Sequence, residues 1–546
     1  MSETIAPAPL ASSGAWPPVQ DPSVCLFFDP RYQPTWVDVG SPAKLAFGAP
    51  LSIQAWVLCI DPSGVRPIVS RMDSAQPGAG FVLRVRDRTY EFGWLDGNGT
   101  LHGATADVPA EDGRNWVHLG GLYDGSTWRL YRNGELQATS TDAMGMSPSA
   151  DPWLIGATDP DGATATWNRS LATICLWDRV LDEYELQQSA AMLVPTEGLR
   201  AHWPLHDGSG STIADLAPDP APGTARGHVT WRPTRGWFPI GGIPTQSGGD
   251  QLAQLIASAA DGFCLVAPTR GEVWTSPDGA SWTLVNDSPP FAGTWAPGVL
   301  AIAGRPGSPD GLTIYVVGGS DERGARSSVW RSLDVGRTWE KKDDAPWAPR
   351  SDMMTAGLPR PFNAFVLGGI AGGPDYDGPT CNDVWVLYQD GGEPKWECVT
   401  PGAAWEGRTR AAVAATGAGP RSLVLAAGDH SVGLFRDFWT TDDGVTWARE
   451  RNSPFEARQR PRLEQVTLSD GRGAQILFGG WSDVAGFRDT WMRKNGTWTR
   501  IDNAVPWLPR GGGGSAVFHN RIVVAGGEGG PLYSEQAVWG LLPPED

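Results

Sequence analysis

From about Trp231 to the C-terminus the chain repeats itself, and a repeat of this length restricts the fold to a stack or ring of short supersecondary units. Three marks define it. An aromatic residue precedes a break in pattern at Trp237, Trp295, Trp347, Trp405, Phe455 and Trp507, 50–58 residues apart. A strand-like run ends in tryptophan at Trp274, Trp330, Trp385, Trp439, Trp491 and Trp539, and a further tryptophan follows at Trp282, Trp339, Trp396, Trp447 and Trp498. Between the first two marks an apolar run closes on a glycine pair, as at Gly318-Gly319, Gly368-Gly369, Gly479-Gly480 and Gly526-Gly527, with Ala427-Gly428 as a variant. Glycine permits close backbone approach there, and the indoles fill the space between neighbouring units. Six first marks predict six four-stranded units. The third series has five members, so the last unit needs a fourth strand from elsewhere. Val229-Thr-Trp231 either supplies it, closing a ring without open sheet edges, or stays with the preceding domain.

The marks resemble the kelch repeat, whose third strand reads like Asn382-Asp-Val-Trp385, Arg436-Asp-Phe-Trp439 and Arg488-Asp-Thr-Trp491. Three hairpin turns, Ser276-Pro-Asp-Gly-Ala-Ser-Trp282, Ser332 to Trp339 and Thr441 to Trp447, are similar to the Asp boxes of sialidase-type propellers. Their chemistry is structural: Asp and Ser or Thr side chains bond the turn's own backbone.

Ahead of the repeat, short alternating strands dominate. Leu51-Ser-Ile-Gln-Ala-Trp-Val57 alternates as a half-buried strand does, Trp128 to Glu135 ends in the hairpin signal Asn133-Gly134, and Ile174 to Leu181 leads into a short helix with Asp182 as its N-cap. These segments, with Asn115 to Gly125 and Gly198 to Leu216, resemble the laminin-G-like, concanavalin A-type jelly roll. The expectation is therefore an all-β chain: a flexible segment at 1–20, a jelly-roll sandwich with a tail at 21–228, and a six-bladed propeller at 229–546. Gly 70, Pro 47 and Trp 28 with 19% charged residues agree, because many turns between aromatic-rich strands produce that mixture.

The net charge of −18 argues against a nucleic acid or an anionic membrane as the main partner. No run approaches the length of a membrane span, and the first 20 residues lack the basic and apolar regions of a signal peptide. The expectation is synthesis in the cytoplasm, with no membrane insertion and any external role reached by a non-standard route or within a particle. Six dispersed cysteines show no metal spacing; Cys381 and Cys398 flank a predicted hairpin and are either a cross-strand disulfide or free thiols.

For a site, the break positions supply Arg350, Arg408, Arg458 and Arg510 in four consecutive units, with Arg460 and Arg462 nearby. Two readings stand: the guanidinium groups converge on the propeller mouth and bind an anion, or they brace neighbouring backbone and carboxylates. The loops after the glycine pairs add His430, Trp481 and Asp483 as candidate contacts. The resemblance to laminin-G-like domains implies glycan or protein ligands, some held with Ca²⁺ at a rim. Asp159 and Asp161 are the two oxygen donors to consider, against the plainer reading of an acidic turn. The paired-carboxylate run of glycanases on this fold is absent, and the propeller lacks the nucleophile constellation of a sialidase and the copper ligands of a galactose oxidase. The expected function is thus non-catalytic recognition of a glycan or protein. A structural or receptor-binding part of a phage-tail-like or contractile particle is the alternative, and a sialidase-type enzyme the second alternative.

Overall fold

The computed structural model describes residues 24–542 except short internal segments, those of five residues or more being 29–33, 160–164, 244–251, 358–363, 373–377, 503–509 and 528–536. The chain is all-β. Two eight-stranded antiparallel sheets form the sandwich. One runs Glu135–Thr141, Thr127–Arg132, Val117–Tyr123, Leu51–Cys59, Arg169–Trp177, Val24–Phe28 and Thr230–Pro233, with Leu199–Trp203 also on Arg169–Trp177. The other holds Gly80–Arg86 and Thr89–Leu95 near one edge and Gly223–Arg226 near the other.

Leu51–Cys59 shows how the pattern becomes a layer. Leu51, Ile53, Ala55 and Val57 enter the core between the sheets, as alternation requires. The opposite face, expected to meet solvent, is buried as well: Ser52, Gln54 and Trp56 are at most 1% exposed. Two elements cover it. The helix Glu183–Ala190 begins in a capping box, with the Asp182 carboxylate accepting from the Glu185 N–H and the Glu185 side chain accepting from the Asp182 N–H. It presses Leu186 onto Gly120, where an added Cβ would come within 2.9 Å of the leucine. The second cover is the propeller itself.

Six four-stranded blades follow, at 254–286, 298–342, 354–400, 412–450, 462–502 and 514–542, the last completed by Gly236–Gly242. That strand pairs antiparallel with Ala537–Leu542, Trp237 opposite Leu541 and Phe238 opposite Gly540, and so closes the ring. Closure by an upstream strand was expected, but with different residues. Thr230 and Trp231 pair with Phe27 and Leu26 and stay in the sandwich. Of the six aromatic marks Trp507 lies outside the described residues, and two others change meaning. Trp237 lies on the closing strand, and Trp295 is 49% exposed. The residue that leads into the second blade is Phe291, whose ring meets Trp339 edge-on at 4.8 Å, as Trp347 meets Trp396 at 4.7 Å and Phe455 meets Trp498 at 5.2 Å. All six cysteines are free, and Cys398 lies opposite Trp385 rather than Cys381. In the three turns from Ser276, Ser332 and Thr441, each leading hydroxyl accepts a turn N–H, as do Asp278, Asp334 and Asp443.

The closing strand also joins the domains. Phe238 packs against Trp116 at 4.7 Å and His206 at 5.3 Å, and Trp56 meets Trp539 edge-on at 5.7 Å. Gly242 sits so tightly on the turn after the helix that a Cβ there would lie 2.3 Å from the Ala191 carbonyl oxygen. His118, fully buried against Trp56 and hydrogen bonded through Nε2 to the Gln54 side-chain oxygen at 2.9 Å, belongs to the same cluster. Burial pushes its imidazole down from 6.5 to about 3, so the folded state keeps it neutral where the unfolded chain protonates. The unfolded state therefore binds more protons between pH 6.5 and about 3, and stability falls as pH drops through that window. Urea unfolding from pH 7 to 4 should lose stability more steeply in the wild type than in His118→Gln, by up to one proton or about 1.4 kcal/mol per pH unit. Equal slopes would refute a neutral buried His118.

Candidate ligand-binding site at the propeller mouth

The break-position arginines are buried, and their geometry is that of internal braces. Arg408 is 0% exposed. Its Nη1 donates to the Ala427 carbonyl at 2.9 Å and to Asp437 Oδ1 at 2.6 Å, and its Nη2 donates to Asp437 Oδ2 at 3.0 Å. Arg350 repeats the pattern with Gly368 and Asp383, and Arg458 with Gly479 and Asp489. Arg510 donates to the Gly526 carbonyl at 2.8 Å. The same residues reach the preceding blade through backbone, since Gly369 N–H donates to the Arg408 carbonyl at 3.0 Å and Gly428 N–H to that of Arg458 at 2.9 Å. Each aspartate also accepts the indole N–H two residues on, as in Trp439 to Asp437 at 2.7 Å. Burial by itself would raise the Asp437 carboxyl, but the hydrogen bonds and charge of Arg408 outweigh it and hold it below the usual range. Of the two readings open from sequence, the bracing one describes this geometry, because the forks are filled from within.

Two residues further on, the chain does something the sequence conceals. In the second to sixth blades φ turns positive, at +44° for Ala296, +50° for Asp352, +53° for Arg410, +52° for Arg460 and +71° for Gly512. From the third blade on, each of these N–H groups donates to the carbonyl of its predecessor: Asp352 to Ala296 at 3.0 Å, Arg410 to Asp352 at 3.4 Å, Arg460 to Arg410 at 2.7 Å and Gly512 to Arg460 at 3.1 Å. A belt of backbone bonds thus passes from blade to blade around the mouth. In an extended strand Arg408 and Arg410 would share a face. The left-handed turn separates them, burying the first and bringing the second to the channel. Such a conformation costs roughly 1–2 kcal/mol at a non-glycine residue and collects at functional sites.

The belt brings together a polar cluster. Arg410 donates to Asp352 Oδ1 at 3.1 Å, to Asp429 Oδ2 at 3.1 Å and to the Gln459 side chain at 3.2 Å. Arg460 lies 3.9 Å from Asp352, and both arginine side chains remain partly exposed. Burial lifts the Asp429 carboxyl above its ordinary range, with Asp352 and Asp483 adding to the effect and Arg410 opposing it. Around the cluster the loops after the glycine pairs form miniature hairpins, Ser320–Asp321 with Gly324–Ala325 and Asp429–His430 with Gly433–Leu434. Trp481 pairs with Gln459 through two 2.9 Å backbone bonds, and its ring covers the bare backbone of Gly511. Of the residues picked out from sequence, His430, Trp481 and Asp483 therefore lie on this crown. Asp352, Arg410 and Gln459 were missed; the signal available was the spacing Arg-x-Arg or Arg-x-Asp at successive breaks. Asp161 falls outside the described residues, and among the described residues no group of three or more His, Cys, Asp or Glu could hold a metal ion.

Removing one partner of a filled buried pair leaves the other charged and unpaired. Arg408→Ala should therefore lower stability by about 3–5 kcal/mol in denaturant unfolding. A change below about 1 kcal/mol would contradict the bracing role.

Comparison with known proteins bears on the first domain. Residues 33–187 match the laminin-G family model described as the concanavalin A-like lectin/glucanases superfamily. No curated protein matches the chain. Among solved structures the "Structure of YjhT" aligns at a TM-score of 0.42 and 16% identity, over 54% of this chain and 94% of that one. No helix among the described residues is long and apolar enough to cross a membrane. The chain thus joins a laminin-G-like, concanavalin A-like domain, matched over residues 33–187, to a six-bladed β-propeller.

Proposed function

We propose that this chain is a recognition protein that holds a glycan or protein ligand at the propeller mouth. The observation that carries the reading is the crown itself. Arg410, Arg460, Asp352 and Gln459 gather over the channel on a strained backbone belt, beside the exposed ring of Trp295 and the partly buried ring of Trp481. Planar polar groups beside an aromatic face suit a ligand with hydroxyl or amide edges and an apolar face. The concanavalin A-like superfamily spans lectins and glucanases, so the fold of the first domain leaves binding and catalysis both open. Against that background the crown favours binding, because its arginines and carboxylates are tied to one another.

The test is a glycan array with the purified chain, beside a variant carrying Arg410→Ala and Trp481→Ala. Loss of binding by tenfold or more in a variant that still melts cooperatively is the expected result. Binding that survives would transfer recognition to the sandwich and overturn the assignment of the mouth. Release of a reducing end from a bound glycan would make the protein an enzyme instead.

A further inference from the structure

Below the crown the channel opens into a cavity of 590 Å³, lined by the innermost strand of each blade. This falls within the range of roughly 300–1,000 Å³ usual for small-molecule sites. Its walls are unequal. Counted from the belt residues, the second and fourth positions of these strands face the following blade. They carry Gly298 and Leu300, Met354 and Ala356, Ala412 and Ala414, and Gly514 and Ala516 in the second, third, fourth and sixth blades. In the fifth blade alone of these five the same two positions are Arg462 and Glu464.

Those two residues are ringed by protein yet keep access to the channel. Arg462 donates to the Gly512 carbonyl at 3.2 Å and to the Gln254 side-chain oxygen at 3.4 Å. Glu464 accepts from the Ser515 hydroxyl at 2.5 Å. One wall, from the fifth blade across the sixth to the first, therefore offers guanidinium, carboxyl, hydroxyl and amide groups. Met353, Thr355, Val413 and Ala415 line the third and fourth blades. The same positions are apolar in the other blades named, and burying charged groups there brings a desolvation cost that such packing avoids. The polar wall is thus not explained by the propeller's own packing. Burial raises the Glu464 carboxyl, and Arg462 stays below its usual range for the same reason.

The charges decide what the wall would take. Arg410, Arg460 and Arg462 are met by Asp352, Asp429 and Glu464, and Asp483 adds a further carboxylate on the crown, so mouth and channel hold no surplus positive charge for an anion. We propose that the wall formed by Arg462, Glu464, Ser515 and Gln254 receives the uncharged terminal residue of a saccharide, hydroxyls toward these groups and its apolar face toward Val413 and Ala415. The inference rests on the recognition reading above and deepens it by naming the ligand class and the residues that select it.

The test grafts the third blade's residues onto the fifth. Wild type, the double variant Arg462→Met with Glu464→Ala, and Arg410→Ala are titrated calorimetrically with glucose, galactose, mannose, cellobiose, maltose and glucuronic acid. The expected result is binding of a neutral sugar by the wild type, with at least a tenfold loss in the double variant at an unchanged or higher melting temperature. Glu464→Gln, which keeps a partner for Ser515, should weaken the same sugar without unfolding and covers the case in which the double variant does not fold. Neutral-sugar binding retained in both channel variants but lost in Arg410→Ala would overturn the channel wall and leave the mouth standing. Binding of glucuronic acid alone would overturn the neutral ligand. Absence of binding to these sugars, with crown-dependent binding of another glycan on the array, would do the same, and absence of both would remove the recognition reading too.

Discussion

One strand decides the shape of this molecule. Gly236–Gly242 closes the propeller by pairing with Ala537–Leu542, and its Phe238 enters the aromatic cluster that holds the sandwich. A propeller left open at that seam would expose two sheet edges. Because Trp539 from the opposite side of the seam also meets Trp56 edge-on, closing the ring and docking the domains are a single packing event. Burial in that cluster keeps His118 uncharged.

The propeller uses arginine in two different ways within three residues of chain. Arg350, Arg408 and Arg458 lie inside, where paired forks and carbonyls satisfy them, and they fix each break to its own blade and to the preceding one. Arg410 and Arg460 follow at a left-handed residue and lie over the channel. The brace holds the belt in register, and the belt sets the direction of the ligand-facing side chains. Disturbing the first should loosen the second, even though the brace touches no ligand.

Much of the architecture was legible because its signals are local. Glycine pairs, aspartate-bearing turns and the tryptophans of the outer strands each report a backbone requirement that few other residues meet. Spacing alone misled at Trp237 and Trp295, since a fifty-residue interval does not distinguish a blade-packing indole from one that closes the ring or faces solvent. The site was less legible for a physical reason. An arginine carries no mark that its φ is positive, so Arg408 and Arg410 read alike although they face opposite ways. The burial of both faces of Leu51–Cys59 was hidden too, because the partner that covers Trp56 arrives from nearly 500 residues later in the chain.

That separation sets an order of events during synthesis. The sandwich strands, including Thr230–Pro233, emerge before the first blade, and the closing strand follows them directly. Its partner is made about 300 residues afterwards, roughly 15–60 s at ribosomal speed. Throughout that interval Trp56 lacks its Trp539 partner, and the strand that carries Phe238 lacks its neighbour Ala537–Leu542. The strand that seals the ring is therefore also the one that brings the sandwich its covering indole.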